Sequence, residues 1–334
     1  MPGASIDTLD AEYETLREGC GLLDRSERGK LALSGAGAVE FLNGQVPHEL
    51  TTLHPGEGRY AAFLTPKGKM LGDLRILAVG PEAQAPPQEL LLDTERVALQ
   101  ALFDMIRRYK VGYEVELHKR TVERGLVSLI GPESAAVAAG AAGASRVELA
   151  DEEHANATVE IDGIVCLAVR TDTGVDLICD ASDTERLLEA LRARGASLVS
   201  EQAAECLRVE RGRPRYGVDL DDTVIPQEAG LNERAVSFTK GCYVGQETVA
   251  RLFYKGKPNR HLRGLRLSSP AGHGEQLMLG DRVLGSIGSV VDSPGLGPIA
   301  LALVRREAEP GAVVSVGEQG AEAEVVELPF SGEK

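Results

Sequence analysis

Lys240-Gly241-Cys242-Tyr243-Val244-Gly245-Gln246-Glu247-Thr248-Val249-Ala250-Arg251 concentrates more unusual chemistry than any other stretch of the chain. One cysteine stands between two glycines, two residues after a lysine and just before Gln246, Glu247, Ala250 and Arg251, a composition that favours a helix. A nearby cation and the positive end of a helix both favour thiolate over thiol, and glycines let a ligand or partner approach the backbone. A free cysteine is equally a small hydrophobe that fills cores. From these residues alone Cys242 reads either way.

Working outward, 334 residues exceed what one compact core usually holds, so two or three domains are expected. With 36 basic against 51 acidic residues the net charge is −15, which argues against broad nucleic-acid or anionic-membrane binding. An anionic ligand therefore needs a local basic pocket. Six basic residues (Arg251, Lys255, Lys257, Arg260, Arg263, Arg266) and no acidic one lie between Thr248 and Gly274, either a receptor for such a ligand or acidic partner, or a solvated face. The five cysteines, 20, 166, 179, 206 and 242, are widely spaced, with no Cys-x-x-Cys pair and no zinc-type clustering. A reducing cytosol suits that usage. No segment reaches the ~20 apolar residues of a membrane span and the first ten residues carry no leader pattern, so a cytoplasmic location is expected.

Periodicity predicts a helix over Asp10–Leu23, strands around Leu31–Leu33, and a helix from Gly35 to Leu42 ended by Asn43-Gly44. Residues 58–64 and 72–79 read as a hairpin about Thr65–Lys69, and 81–88 as a loop. Leu90–Leu92 reads as a buried strand, with Thr94 capping a helix that carries Leu102, Met105 and Ile106. Strands are expected over Val111–Leu117, Leu126–Ile130 and Asp176–Cys179, a hairpin about Asp162-Gly163, a weak helix in 135–144, and helices over Asp183–Arg194 and Ser200–Arg211. Cys20, Cys166, Cys179 and Cys206 fall among apolar neighbours and read as core. Residues 213–239 read as a long functional loop. After Pro258 six short strands punctuated by Gly and Pro predict a small antiparallel barrel.

All seven specified positions of Lys-Gly-Cys-Tyr-x-Gly-Gln-Glu in this stretch match the signature of YgfZ-like folate-binding proteins, and the chain resembles that family and the glycine-cleavage T-protein superfamily containing it. More diffuse support comes from Gly29-Lys30 after Asp24, Phe41-Leu42-Asn43 followed by Leu53 and Gly56, Gly72-Asp73-Leu74, and Arg215-Tyr216-Gly217-Val218-Asp219. The resemblance implies an α+β fold: a body of two intertwined α/β subdomains over residues 1–257, and a C-terminal antiparallel β-barrel over 258–334, around a folate cavity. It also implies binding of tetrahydrofolate or a derivative, and a role in assembling or repairing iron–sulfur clusters in client enzymes, tRNA-modifying enzymes among them. Asp176, in Thr173-Gly174-Val175-Asp176, matches the acid that holds the pterin ring, where a carboxylate accepts parallel N–H bonds; the family has Glu there, one methylene longer.

Tyr216, Lys240, Gly241, Tyr243, Gly245, Gln246, Glu247 and Arg251 are the further cofactor-binding residues that the resemblance implies. Cys242 is the reactive residue and a soft iron ligand. One cysteine holds no cluster alone, so a transient cluster is expected to be shared with an assembly or client protein. In the aminomethyltransferases of the superfamily an Asn-rich segment precedes a catalytic aspartate; here Leu90-Leu91-Leu92 runs into Asp93-Thr94 with no Asn, which weakens aminomethyl transfer and leaves Asp93 either catalytic or structural. A folate-dependent methyl- or aminomethyltransferase, and a folate-binding module without turnover, remain the alternatives.

Overall fold

The computed structural model describes residues 6–81, 87–139, 149–317 and 320–330. Helix α1 (Ile6–Glu18) leads into β1 (Gly21–Asp24), and the chain then crosses to a second layer with β2 (Gly29–Ser34), α2 (Ala38–Gln45), β3 (Gly58–Leu64), β4 (Met70–Val79), β5 (Glu89–Thr94), α3 (Leu99–Tyr109) and β6 (Glu116–Lys119). It returns through β7 (Arg124–Ile130), α4 (Ser134–Ala139), β8 (Asn156–Ile161), β9 (Ile164–Arg170), β10 (Gly174–Asp180), α5 (Thr184–Ala193), β11 (Ser197–Leu198) and α6 (Glu201–Glu210). A long irregular segment carries α7 (Asn232–Ala235) and α8 (Gln246–Lys255). Last come β12 (Arg260–Leu267), β13 (Gln276–Leu279), β14 (Arg282–Ser293), β15 (Gly297–Arg305), β16 (Val313–Val316) and β17 (Ala321–Val326).

The strands form a six-stranded sheet in the order β11-β1-β7-β10-β9-β8, a five-stranded sheet in the order β3-β4-β5-β2-β6, and a closed barrel in the order β12-β15-β14-β13-β16-β17. Because β1 belongs to the first sheet and β2–β6 to the second, the two subdomains share one threading and cannot be cut apart in sequence. The expected α+β body with a C-terminal barrel is therefore the observed fold. Closure removes the barrel's edges, and Leu265, Leu277, Ile287, Val304 and Val325 fill its interior. Asp219 fastens the body to the barrel: its carboxylate accepts from the Ser289 amide at 2.7 Å and from Arg208 at 3.0 Å.

Several local expectations fail for identifiable reasons. The first helix stops at Glu18 and Leu22 enters a strand, since Gly21 lets β1 pass beneath α1, where a Cβ would lie 2.3 Å from Leu16. Helix α2 runs through Asn43-Gly44; the Asn43 side chain is engaged by the Leu50 amide at 2.9 Å instead of ending the helix. Thr94 caps nothing. It lies inside β5 and donates to the Asp73 carbonyl at 2.5 Å. The strand expected from Val111 begins only at Glu116, with Val111 and Tyr113 exposed in the preceding turn. Residues 82–86 of the expected loop and 140–144 of the expected weak helix lie outside the described residues, while 134–139 are helical. The hairpin at Asp162-Gly163 is present, both residues having the positive φ that a two-residue turn needs.

Candidate functional site

Asp176 sits in β10, hydrogen-bonded between β7 and β9 at the middle of the six-stranded sheet. Its Oδ1 accepts from Ser128 Oγ at 2.6 Å, directly across the register, and its Oδ2 accepts from Arg75 Nη1 at 2.5 Å. Arg75 comes from β4 of the other sheet and donates through Nε to Asp93 at 2.6 Å, and Arg28 grips the same Asp93 at 3.0 Å. A buried ionic chain thus runs Arg28–Asp93–Arg75–Asp176 and joins the two subdomains. Burial opposes ionisation of Asp93, but the two guanidinium groups win and hold its carboxyl well below the usual range. Asp93 does not line the cavity described next, and all its side-chain partners are the two arginines of this chain of ion pairs.

A cavity of about 210 Å³ opens where the two sheets meet the segment after α6. Arg28, Tyr60, Asp73 and Arg75 reach it from one subdomain, His154 and Asp176 from the other, and Arg213, Arg215 and Tyr216 from the loop. Eight arginines and five carboxylates line it, and Asp93, Glu201, Glu205 and Asp219 just behind the wall pair with Arg28, Arg75, Arg25, Arg215 and Arg208, so the lining is rich in guanidinium groups that are largely neutralised by ion pairs. The basic run after Thr248 lies elsewhere: Arg260 pairs with Glu228 and Arg263 with Glu327, each at 3.0 Å, and none of the run's residues lines the cavity.

Asp73 is the cavity's poised acid. Tyr60 Oη donates to it at 2.7 Å, yet burial prevails and pushes its pKa from 3.8 up to about 6. A carboxyl near neutrality can both take and give a proton. Because its folded pKa lies above the unfolded one, the folded state is penalised once Asp73 ionises; this penalty grows as pH rises from about 4 through 6. Asp73→Asn is accordingly expected to raise stability by about 3 kcal/mol at pH 8 and by little below pH ~4, measured by urea unfolding at the two pH values. A variant less stable at pH 8 would contradict the shift.

The Cys242 motif folds as a packing device beside this cavity. Lys240 is buried, and its ammonium donates to Asn43 O, Asn43 Oδ1, Val46 O and His48 O at 2.6–3.0 Å. Burial lowers its pKa to about 8. Tyr243 and Val249 enter the core with Ala62 and Leu64. Gly245, at φ 85°, caps α8 and lies so near the β3–β4 turn that a Cβ would meet Thr65 O at 2.7 Å. Gln246 closes the loop on the Gly241 carbonyl at 3.3 Å. Gly241, Cys242, Glu247 and Arg251 remain exposed. Of the residues expected to bind cofactor, the structure brings Asp176 and Tyr216 to the cavity; Lys240, Gly241, Tyr243, Gly245, Gln246, Glu247 and Arg251 are not among its lining residues. Cys242 is the one exposed cysteine of the five, none of which is disulfide-bonded in this structure; Cys20, Cys166, Cys179 and Cys206 are buried as expected.

Asp73 and Arg215 fall in segments that carry the family resemblance but were not expected as site residues, and Arg75, His154 and the other arginines after α6 were not singled out by sequence. For Asp73 and Arg75 a signal existed: they interrupt the apolar run Met70-Leu71-Gly72-Asp73-Leu74-Arg75-Ile76-Leu77 at a spacing of two, which puts both charges on one face of a buried strand. His154 and the arginines converge only through the tertiary fold.

The chain matches the GCVT N-terminal domain family over residues 4–240 and the glycine cleavage T-protein C-terminal barrel domain over 260–331. It is 31% identical to an aminomethyltransferase of Streptomyces avermitilis, across 96% of this chain and 88% of the relative. It is 26% identical to a putative chloroplastic transferase of Arabidopsis thaliana, across 94% and 72%. Its fold superposes on the crystal structure of the glycine cleavage system aminomethyltransferase T from Bartonella henselae with a TM-score of 0.87 and 25% identity, across 100% of this chain and 92% of that one.

Proposed function

The chain belongs to the glycine cleavage T-protein family, and on that premise we propose that it is a tetrahydrofolate-binding accessory protein that supports assembly or repair of iron–sulfur clusters in client enzymes. The observation that carries the proposal is the placement of Cys242: the one exposed thiol, in a loop fixed by the Lys240 clamp and outside the cavity lining.

The cavity's donor set suits a reduced folate. Asp176 has one bond on each oxygen and retains a lone pair on each for a pair of parallel N–H groups. Its volume lies below the ~300–1,000 Å³ of pockets that enclose whole drug-sized ligands, so it takes a ring system and leaves a longer anionic tail to Arg211 and Arg213. When bound, the folate supplies a one-carbon carrier; the chain's own part is to orient it through Asp176 and to hold a proton at Asp73. A resident cluster does not fit. Among the described residues no group of three or more metal-ligating side chains exists, so a cluster is cargo met by Cys242 and by ligands from a partner.

A second reading, folate-dependent one-carbon transfer, is favoured by Asp73, whose pKa near 6 suits a general base or acid. A deletion strain separates the two. Loss of activity in its iron–sulfur enzymes with glycine breakdown intact supports the accessory role; the reverse pattern defeats it and supports the transferase.

A further inference from the structure

His154 lies in the turn before β8 with φ 74°, a conformation that is uncommon for a side chain larger than glycine. Its backbone is tightly held: the amide donates to Arg170 O at 2.9 Å, and the carbonyl lies where a Cβ on Gly58 would come within 2.5 Å. The ring is 5% exposed and lines the cavity, yet neither Nδ1 nor Nε2 has a hydrogen-bond partner among the described residues. Glu153 Oε1 lies 3.6 Å from Nε2, beyond hydrogen-bond range, and accepts instead from Arg234 at 2.5 Å. Arg234, on the same cavity wall, also leaves its Nε unpartnered while its guanidinium lies 4.7 Å over the Tyr60 ring. The other buried side chains with an unpartnered atom, Gln45, Gln227 and Asn232, are not among the lining residues.

Burying an unpaired polar group is unfavourable, and here the protein retains three such atoms at one cavity. A phenylalanine would fill the same volume without that penalty, although the φ of 74° suits it less well than histidine. The unpartnered nitrogens are therefore explained by something that enters the cavity.

We propose that His154 is a ligand-binding residue, hydrogen-bonding the polar edge of a heterocyclic amide whose ring is also held by Asp176. Burial, together with Arg75 and Arg234, keeps the imidazole pKa well below its usual value. A neutral ring carries one donor and one acceptor, which matches the alternating donors and acceptors of an aminopyrimidinone edge and adds no charge to an arginine-rich pocket. The assignment rests on the folate reading and deepens it by naming a second polar contact.

The test is calorimetric titration of tetrahydrofolate into the wild-type chain, His154→Phe and His154→Gln, with ligand-free melting temperatures of all three. His154→Phe is expected to bind about 10-fold more weakly, and His154→Gln, which keeps a donor and an acceptor, to recover most of the affinity, the melting temperatures showing that all three chains are folded. His154→Phe with wild-type affinity, or His154→Gln that binds no better than His154→Phe, overturns the proposal. Absence of binding by the wild-type chain instead removes the folate reading, and this contact with it.

Discussion

Asp93→Ala is expected to destabilise the protein by about 3 kcal/mol, because it removes the carboxylate shared by the half-buried Arg28 and the buried Arg75 and leaves each with a single counter-charge, Glu95 and Asp176 respectively. The wild-type carboxylate is wholly buried and takes donors from both guanidinium groups. Removing it breaks the ionic chain between the sheets, and the effect should reach Asp176 through Arg75. The pH dependence has the opposite sign to that of Asp73. Asp93 has a depressed folded pKa, so its contribution is present above the ordinary carboxyl value near 3.8 and is lost as pH falls below it. Urea unfolding at pH 7 checks the magnitude; a loss under 1 kcal/mol would mean that solvent or a rearranged side chain readily replaces the carboxylate.

Cys242→Ser is expected to leave stability within about 0.5 kcal/mol, as surface substitutions away from packed or charged networks usually do, since the thiol is exposed. Its chemical effect should be large. In the native wild-type chain one thiol should react rapidly with a thiol-specific reagent while the four buried ones wait for unfolding; burial also pushes Cys20 up to about 11 and Cys206 up to about 12. The native variant should have no rapid thiol. Tetrahydrofolate affinity should be unchanged, because Cys242 does not line the cavity. A buried Cys242 would instead give a stability loss of about 1–3 kcal/mol, from a hydroxyl without a partner in an apolar site.

The barrel was legible because Gly and Pro punctuate strands of regular spacing, and the body because apolar periodicity separates its helices from its strands. Boundaries went astray where a contact distant in sequence decides them: Gly21 under Leu16, Asn43 drawn to Leu50, Thr94 reaching Asp73. The site was legible in two halves. Asp176 and Tyr216, which the resemblance implies, do line the cavity. The glycines of the Cys242 motif looked like room for a ligand, but the close approach at Gly245 is to the protein's own β3–β4 turn, and Lys240 faces backbone carbonyls. The basic run at 251–266, which reads in sequence as either a ligand receptor or a solvated face, is not part of this cavity's lining, whereas arginines from residues 25 to 234 meet there only once the two sheets pack.

The most direct measurement places Cys242→Ser, at matched expression, in a strain lacking this chain and reads the activity of iron–sulfur enzymes. The account predicts that the variant folds and binds tetrahydrofolate like the wild type yet restores none of that activity. Restoration to the wild-type level would contradict it, because the exposed thiol would then be dispensable and the function would have to lie in the cavity alone.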